Sequence, residues 1–197
     1  MDNYYRIYTS AKNKDQHVVF SQGAQEKLSD IFWMNVTRNN LDARWKIVGK
    51  AQVGLSDKTL SKADYLSAFV SIPLFSEKFV LAMRDMLREE VDFFPCIVVS
   101  NSQKEYTFYI ARTHVFLSLI DSENTDIGEK LSPLSPVIFK LKDYDFFIGR
   151  DLDRKSILVA SEKFKSISLK MKFEIDFLPV ETSLDSWKNR QSESIKT

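Results

Sequence analysis

The sequence predicts an α+β fold of mostly antiparallel sheets carrying a few amphipathic helices, and three observations predict it. Residues 76–99 read as a capped amphipathic helix that runs into a long strand; short apolar or alternating runs bounded by turn residues precede and follow it; and the helix-strand pattern is written again at 161–180. The first copy, SEKFVLAMRDMLREEVDFFP, runs from Ser76 to Pro95 and the second, SEKFKSISLKMKFEIDFLP, from Ser161 to Pro179. Ser-Glu-Lys-Phe and Asp-Phe-x-Pro therefore recur in one order at nearly one spacing, which predicts a duplicated packing unit.

Taken in order, residues 4–8 and 17–20 read as short strands separated by the turn-prone AKNKD. Leu28, Ile31 and Phe32 share a helical face, giving a helix near 25–35; residues 36–60 carry no firm signal, and 62–69 predict a helical turn before Pro73. Ser76 offers a hydroxyl N-cap, Glu77 suits the positive end of the helix dipole, and Phe79, Met83, Met86 and Leu87 form the apolar stripe. Val91 to Ser100 is a near-continuous apolar strand in which Pro95 favours an edge or a bulge. Asn101 to Lys104 turns it back into a second strand, Glu105 to Ala111. Residues 112–127 fit strand or helix, and DSENTDIGEKLSPLSP is a loop. IFKLK and DFFIG read as strands, and DLDRK as a turn. Ser161 caps the second helix, with Phe164, Ile167 and Met171 on its stripe, and Ile175, Phe177 and Val180 form the last strand.

Length and composition point to one α+β domain over 1–182 with a polar tail at 183–197; a division into an N-terminal lobe, 1–60, and a duplicated region, 61–182, is compatible with the pattern. Fifteen Phe promise an aromatic core, and five Gly leave little for a phosphate-cradling loop. A net charge of +1 supplies no long-range field for nucleic acid or anionic membrane. Cys96 is the single cysteine, which excludes an intrachain disulfide; no apolar run reaches signal-peptide or membrane-span length, and the expectation is a cytoplasmic protein.

Reactive constellations are sparse. GKAQVG, Gly49 to Gly54, has the glycine spacing of a phosphate loop, but Leu55, ahead of Ser56, stands where the lysine that neutralises the phosphates is needed. With only His17 and His114, no histidine metal face forms, and a Cys96–His114 dyad requires the hairpin to bring the two together. Glu123, Asp126, Glu129, Asp143, Asp145, Asp151, Asp153 and Arg154 decorate two loops, at 122–136 and 143–155, where they suit contact with a protein partner. The Asp143/Asp145/Asp151/Asp153 carboxylates, or Cys96, are the groups an enzyme would use, and the lysines at 163, 165, 170 and 172, with Arg84 and Arg88, are those a nucleic-acid-binding module would use. Neither a cofactor nor a metal site is expected.

The order Lys62-Ala-Asp64-Tyr-Leu, Pro73-Leu-Phe-Ser-Glu-Lys-Phe79, Phe93-Phe-Pro95, a Tyr-rich strand and Asp121, then Phe146-Phe147 and Ser161-Glu-Lys-Phe164 resembles the immunity proteins of bacterial polymorphic toxin systems, a large family typified by a myxobacterial protein. The match runs loosely from Tyr4 to Val180; Phe75 and Arg112 depart from the family's usual residues. The resemblance implies a non-enzymatic cytoplasmic protein that binds and neutralises one cognate toxin, without nucleic acid or membrane, as a monomer or a homodimer.

Overall fold

The structure, a computed structural model, describes residues 4–9, 17–33, 47–68, 72–121 and 144–180, with backbone alone at residues 8, 9, 17 and 30–33. Its elements in chain order are β1 (Tyr4–Thr9), β2 (His17–Phe20), α1 (Gln22–Trp33), β3 (Ile47–Ala51), α2 (Asp57–Leu60), β4 (Tyr65–Ala68), β5 (Pro73–Ser76), α3 (Glu77–Leu87), β6 (Val91–Val99), β7 (Glu105–Thr113), β8 (Phe116–Leu117), β9 (Ile148–Asp151), β10 (Leu158–Ser161), α4 (Glu162–Lys170) and β11 (Ile175–Pro179). They assemble into a closed six-stranded barrel, β2-β3-β6-β7-β5-β4, and a five-stranded sheet, β11-β1-β10-β9-β8. The fold is α+β and its ladders are mostly antiparallel; β2–β4, β3–β6 and β8–β9 are parallel. β1 belongs to the five-stranded sheet while β2 and β3 belong to the barrel, so the two sheets do not divide the chain at residue 60.

Both members of the duplicated unit form as the sequence predicts. Ser76 and Ser161 sit in extended conformation, and their hydroxyls accept from the backbone N–H of Phe79 and Phe164 at 3.1 and 3.2 Å. Each satisfies one of the donors that a helix start leaves open. α3 buries Phe79, Val80, Met83 and Leu87, each contributing roughly 1.5–3 kcal/mol before entropy is subtracted. Met86 is excluded from the stripe at 43% exposure, and Met171 likewise lies at the helix cap at 40%. α4 ends in a paired reverse turn, with Lys172 N–H to Leu169 O and Phe173 N–H to Ser168 O. That geometry forces Lys172 to φ 56°.

Two expectations, for 62–69 and for DFFIG, are corrected. Within the 62–69 stretch, for which the sequence predicts a helical turn, Tyr65–Ala68 forms a strand, β4, because it is held between β2 and β5 and reads as an apolar run without alternation. The unassigned 36–60 stretch contributes β3 and α2. DFFIG starts its strand only at Ile148, since the N–H groups of Phe147 and Ile148 are taken by the Glu90 carboxylate at 2.7 and 3.2 Å. Pro95 is exposed in the middle of β6, where β7 lies on one side and the β3 ladder begins only at Cys96, an edge position as its missing N–H requires. IFKLK, and the tail beyond 180, lie outside the described residues.

Three apolar clusters hold this together. One fills the barrel around Val18, Phe20, Leu66, Leu74 and Phe108. Gly49 is obligatory there, for a Cβ would stand 2.5 Å from Val18 Cγ1. The second lies between the barrel and the sheet and joins α3 to α4 through a run of rings: Phe75 stacks on Phe79 at 4.1 Å, and Phe79 meets Phe173 at 4.9 Å and Phe164 at 5.9 Å. The third, around Tyr4, Leu119, Phe146 and Val159, backs the far side of the sheet.

Candidate partner-binding surface

DLDRK closes the connection from β9 to β10 with a knot centred on Asp151. An aspartate at a strand end readily accepts from N–H groups two and three residues on, and Asp151 Oδ1 does so from Asp153 and Arg154 at 3.0 and 2.7 Å. Its other oxygen accepts from the N–H groups of Leu119 and Ile120 at 3.0 and 3.1 Å. Asp151 is fully buried, so the carboxylate expected to face a partner is instead spent on four backbone donors. Arg150, also buried, donates to Lys155 O at 2.5 Å, and burial pushes its guanidinium down to about 10.

This knot holds a short turn rigidly against β8. Leu152 N–H donates to Leu117 O at 2.9 Å, and Lys155 lays its ammonium 5.9 Å from the Phe116 ring centroid. Tyr144 completes the edge by donating to Ser118 O at 3.2 Å. What reaches solvent is Leu152, Asp153 and Ser156, with Arg154, Lys155, Phe116 and Leu117 partly covered. The turn thus offers solvent one apolar side chain, Leu152, beside Asp153 and the partly covered Arg154 and Lys155, on a fixed frame.

The remaining residues singled out in the sequence separate clearly. Asp145 is exposed and pairs with Lys163 at 3.1 Å, while Lys163 also lies 4.3 Å from the Phe147 ring. Asp153 and Arg154 stand on the turn just described. Glu123, Asp126, Glu129 and Asp143 lie outside the described residues.

Among the described residues Cys96 and His114 do not come together. The hairpin sets Cys96 opposite Phe108, and His114 instead meets Asp92, 2.9 Å away, which Arg112 also contacts at 2.7 Å. Burial pushes the Cys96 thiol up to about 12, so a thiolate is scarce at neutral pH. Among the described residues no group of three His, Cys, Asp or Glu side chains is gathered to hold a metal ion, and no helix is long and apolar enough to cross a membrane.

Sequence reasoning missed a groove of about 260 Å³ at the barrel end, lined by Gly54, Leu55, Ser56, Asp57, Asn101 and Ser102. The Ser102 hydroxyl, 2.6 Å from Asp57 Oδ2, holds the Asp57 carboxyl below the usual range. Only the approach of the β3–α2 turn to the β6–β7 hairpin assembles it, and no local pattern encodes that approach. Comparison of the sequence with protein-family models and with curated proteins returns no match.

Proposed function

We infer that this protein is an immunity protein, which binds a toxin made by the same bacterium and blocks it in the cytoplasm without performing a reaction. The observation that carries the inference is the ordered motif series from Lys62 to Phe164, which resembles that family. Where those motif residues stand supports the reading. Ser76 and Ser161 cap helices, Phe79 and Phe164 meet in the core, and Asp64 is buried, accepting from Ser76 Oγ at 2.6 Å, Lys78 Nζ at 3.0 Å and Glu174 N–H at 2.9 Å. A signature made of caps and core specifies a frame, and leaves the recognition surface to loops carried on it. The patch formed by Leu152, Asp153, Arg154 and Lys155 beside β8 is the described surface that best suits the toxin, as part of an interface of roughly 1,200–2,000 Å².

The test is co-expression with the toxin encoded beside this protein. Survival of the cells, together with co-elution of the two chains on gel filtration, is the expected result. A toxin that neither binds the protein nor is silenced by it sinks the reading. Leu152→Asp then examines the patch: release of the toxin by a variant of unchanged unfolding midpoint places the contact there, and undiminished binding moves it elsewhere.

A further inference from the structure

The duplicated unit is larger than the helix-strand pairs that reveal it in the sequence. β10 and β11 both lie antiparallel to β1, which separates them; β5 and β6 both lie antiparallel to β7, which separates them in the same way. Each helix therefore crosses between two strands that are held apart by a third. The neighbours on the outer side agree as well: β9 is antiparallel to β10 and takes β8 in parallel, just as β4 is antiparallel to β5 and takes β2 in parallel.

Register makes the agreement quantitative. Aligning Ser76 with Ser161 pairs their ladder partners, Phe108 with Tyr4, and the next pair is Tyr109 with Tyr5. Across the following ladder Tyr109 faces Pro95 and Tyr5 faces Pro179, so the Asp-Phe-x-Pro motifs superpose residue for residue with no further adjustment, although the segments between the serines and the prolines differ by one residue. In the other direction Phe75 faces Tyr65 and Ala160 faces Ile148; carried two residues along, Ser67 meets His17 and Arg150 meets Phe116. Four ladders thus share one register. The strands β7 and β1 even agree in sequence, Phe-Tyr-Ile-Ala-Arg-Thr against Tyr-Tyr-Arg-Ile-Tyr-Thr, an aromatic residue, Tyr, an apolar residue and Thr at matching places.

Contacts between the halves obey a twofold relation. Phe79 and Phe164 are equivalent residues and touch each other, as residues beside a twofold axis do. Glu90 accepts from the N–H of Phe147, while its equivalent, Glu174, donates its N–H to Asp64, the equivalent of Phe147. β1 packs on β4 as β7 packs on β9.

We propose that the protein is a fused, circularly permuted pair: two copies of one five-stranded unit related by a pseudo-twofold axis, with residues 4–9 completing the second copy although they precede the first in the chain. The first copy is β2-β4-β5-β7-β6, closed into a barrel by the extra strand β3. The second is β8-β9-β10-β1-β11, in which β1 is a strap brought back from across the molecule. In the first copy the strand corresponding to β1 arrives through the β6–β7 hairpin. In the second, Val180 N–H already meets Tyr4 O at 3.0 Å, the contact such a hairpin would make. This holds whether or not the protein neutralises a toxin.

Two full-length permutants test it, each with Thr197 joined to Met1. Opening the chain between Lys12 and Asn13 makes β1 follow β11, as β7 follows β6. Opening it between Ser102 and Gln103 leaves the second copy whole and splits the first in the way the second is split now. The proposal expects both permutants to unfold cooperatively within about 5 °C of the parent. It also expects the first to refold faster with its unfolding rate unchanged, because the β1–β11 ladder becomes local in the chain. An insoluble or molten product from either opening, or a first permutant that refolds no faster than the parent, overturns it.

Discussion

Asp151 is the residue whose role the sequence conceals most completely. Asp-Leu-Asp-Arg-Lys announces a turn and a charged surface, and both are present, but the first carboxylate is withdrawn from that surface by donors supplied from residues 119 and 120, far away in the chain. Asp151→Asn keeps the shape and turns an amide donor toward N–H groups; a loss of about 2–4 kcal/mol is expected, seen as a lower denaturant midpoint at unchanged slope. Cys96 gives a second outcome at this scale. Its thiol ionises near 9 in an unfolded chain and near 12 when folded. The stabilisation this represents is whole below pH 9 and is lost as pH rises toward 12, at up to about 1.4 kcal/mol per pH unit. Cys96→Ala should lose stability less steeply over that window than the parent, and the parent should resist iodoacetamide until it unfolds. Equal slopes, or rapid alkylation of the folded protein, would place the thiol at the surface.

At the scale of elements, caps and stripes were legible because they are local. Ser76 and Ser161 announce two helix starts, but their neighbours differ. Ser76 Oγ also donates to the buried Asp64 carboxylate, and no such bond is seen for Ser161 among the described residues. Ser161→Ala should therefore cost about 1 kcal/mol and Ser76→Ala about 1–2 kcal/mol more, a difference that thermal unfolding of the two variants resolves. The end of α4 offers the opposite sign. Lys172 occupies the left-handed region, where a side chain costs roughly 1–2 kcal/mol and glycine is accepted at some loss of entropy, so Lys172→Gly is expected to raise stability by about 0.5–1 kcal/mol. A lower melting temperature for that variant would contradict the turn. β4 is a strand where the sequence predicts a helical turn, for a reason equally physical: a strand flanked on both sides shows no clear period of two, and Tyr-Leu-Ser-Ala is compatible with either state until β2 and β5 flank it.

For the whole molecule the deciding contact is the meeting of the two copies at Phe79 and Phe164. Phe79→Leu and Phe164→Leu should each cost about 1–2 kcal/mol, and together differ from additivity by about 0.5–1.5 kcal/mol, since the rings touch; strict additivity in a double-mutant cycle would deny the contact. The candidate surface belongs to this scale too: Asp153 and Arg154 could be named from the turn, but nothing local tells that β8 lies beneath them or that Leu152 is turned outward. By itself the sequence determined the α+β class, the two capped helices, the hairpin and the repeated motif, because each is written within some twenty residues by hydroxyl caps, turn residues and apolar spacing. Tertiary structure alone decided which strands became neighbours, that one sheet closes into a barrel while the other stays open, and that β1 serves the distant half of the chain. Those outcomes follow from burying apolar faces and pairing backbone groups across long separations, and no window of sequence holds both sides of such a pairing.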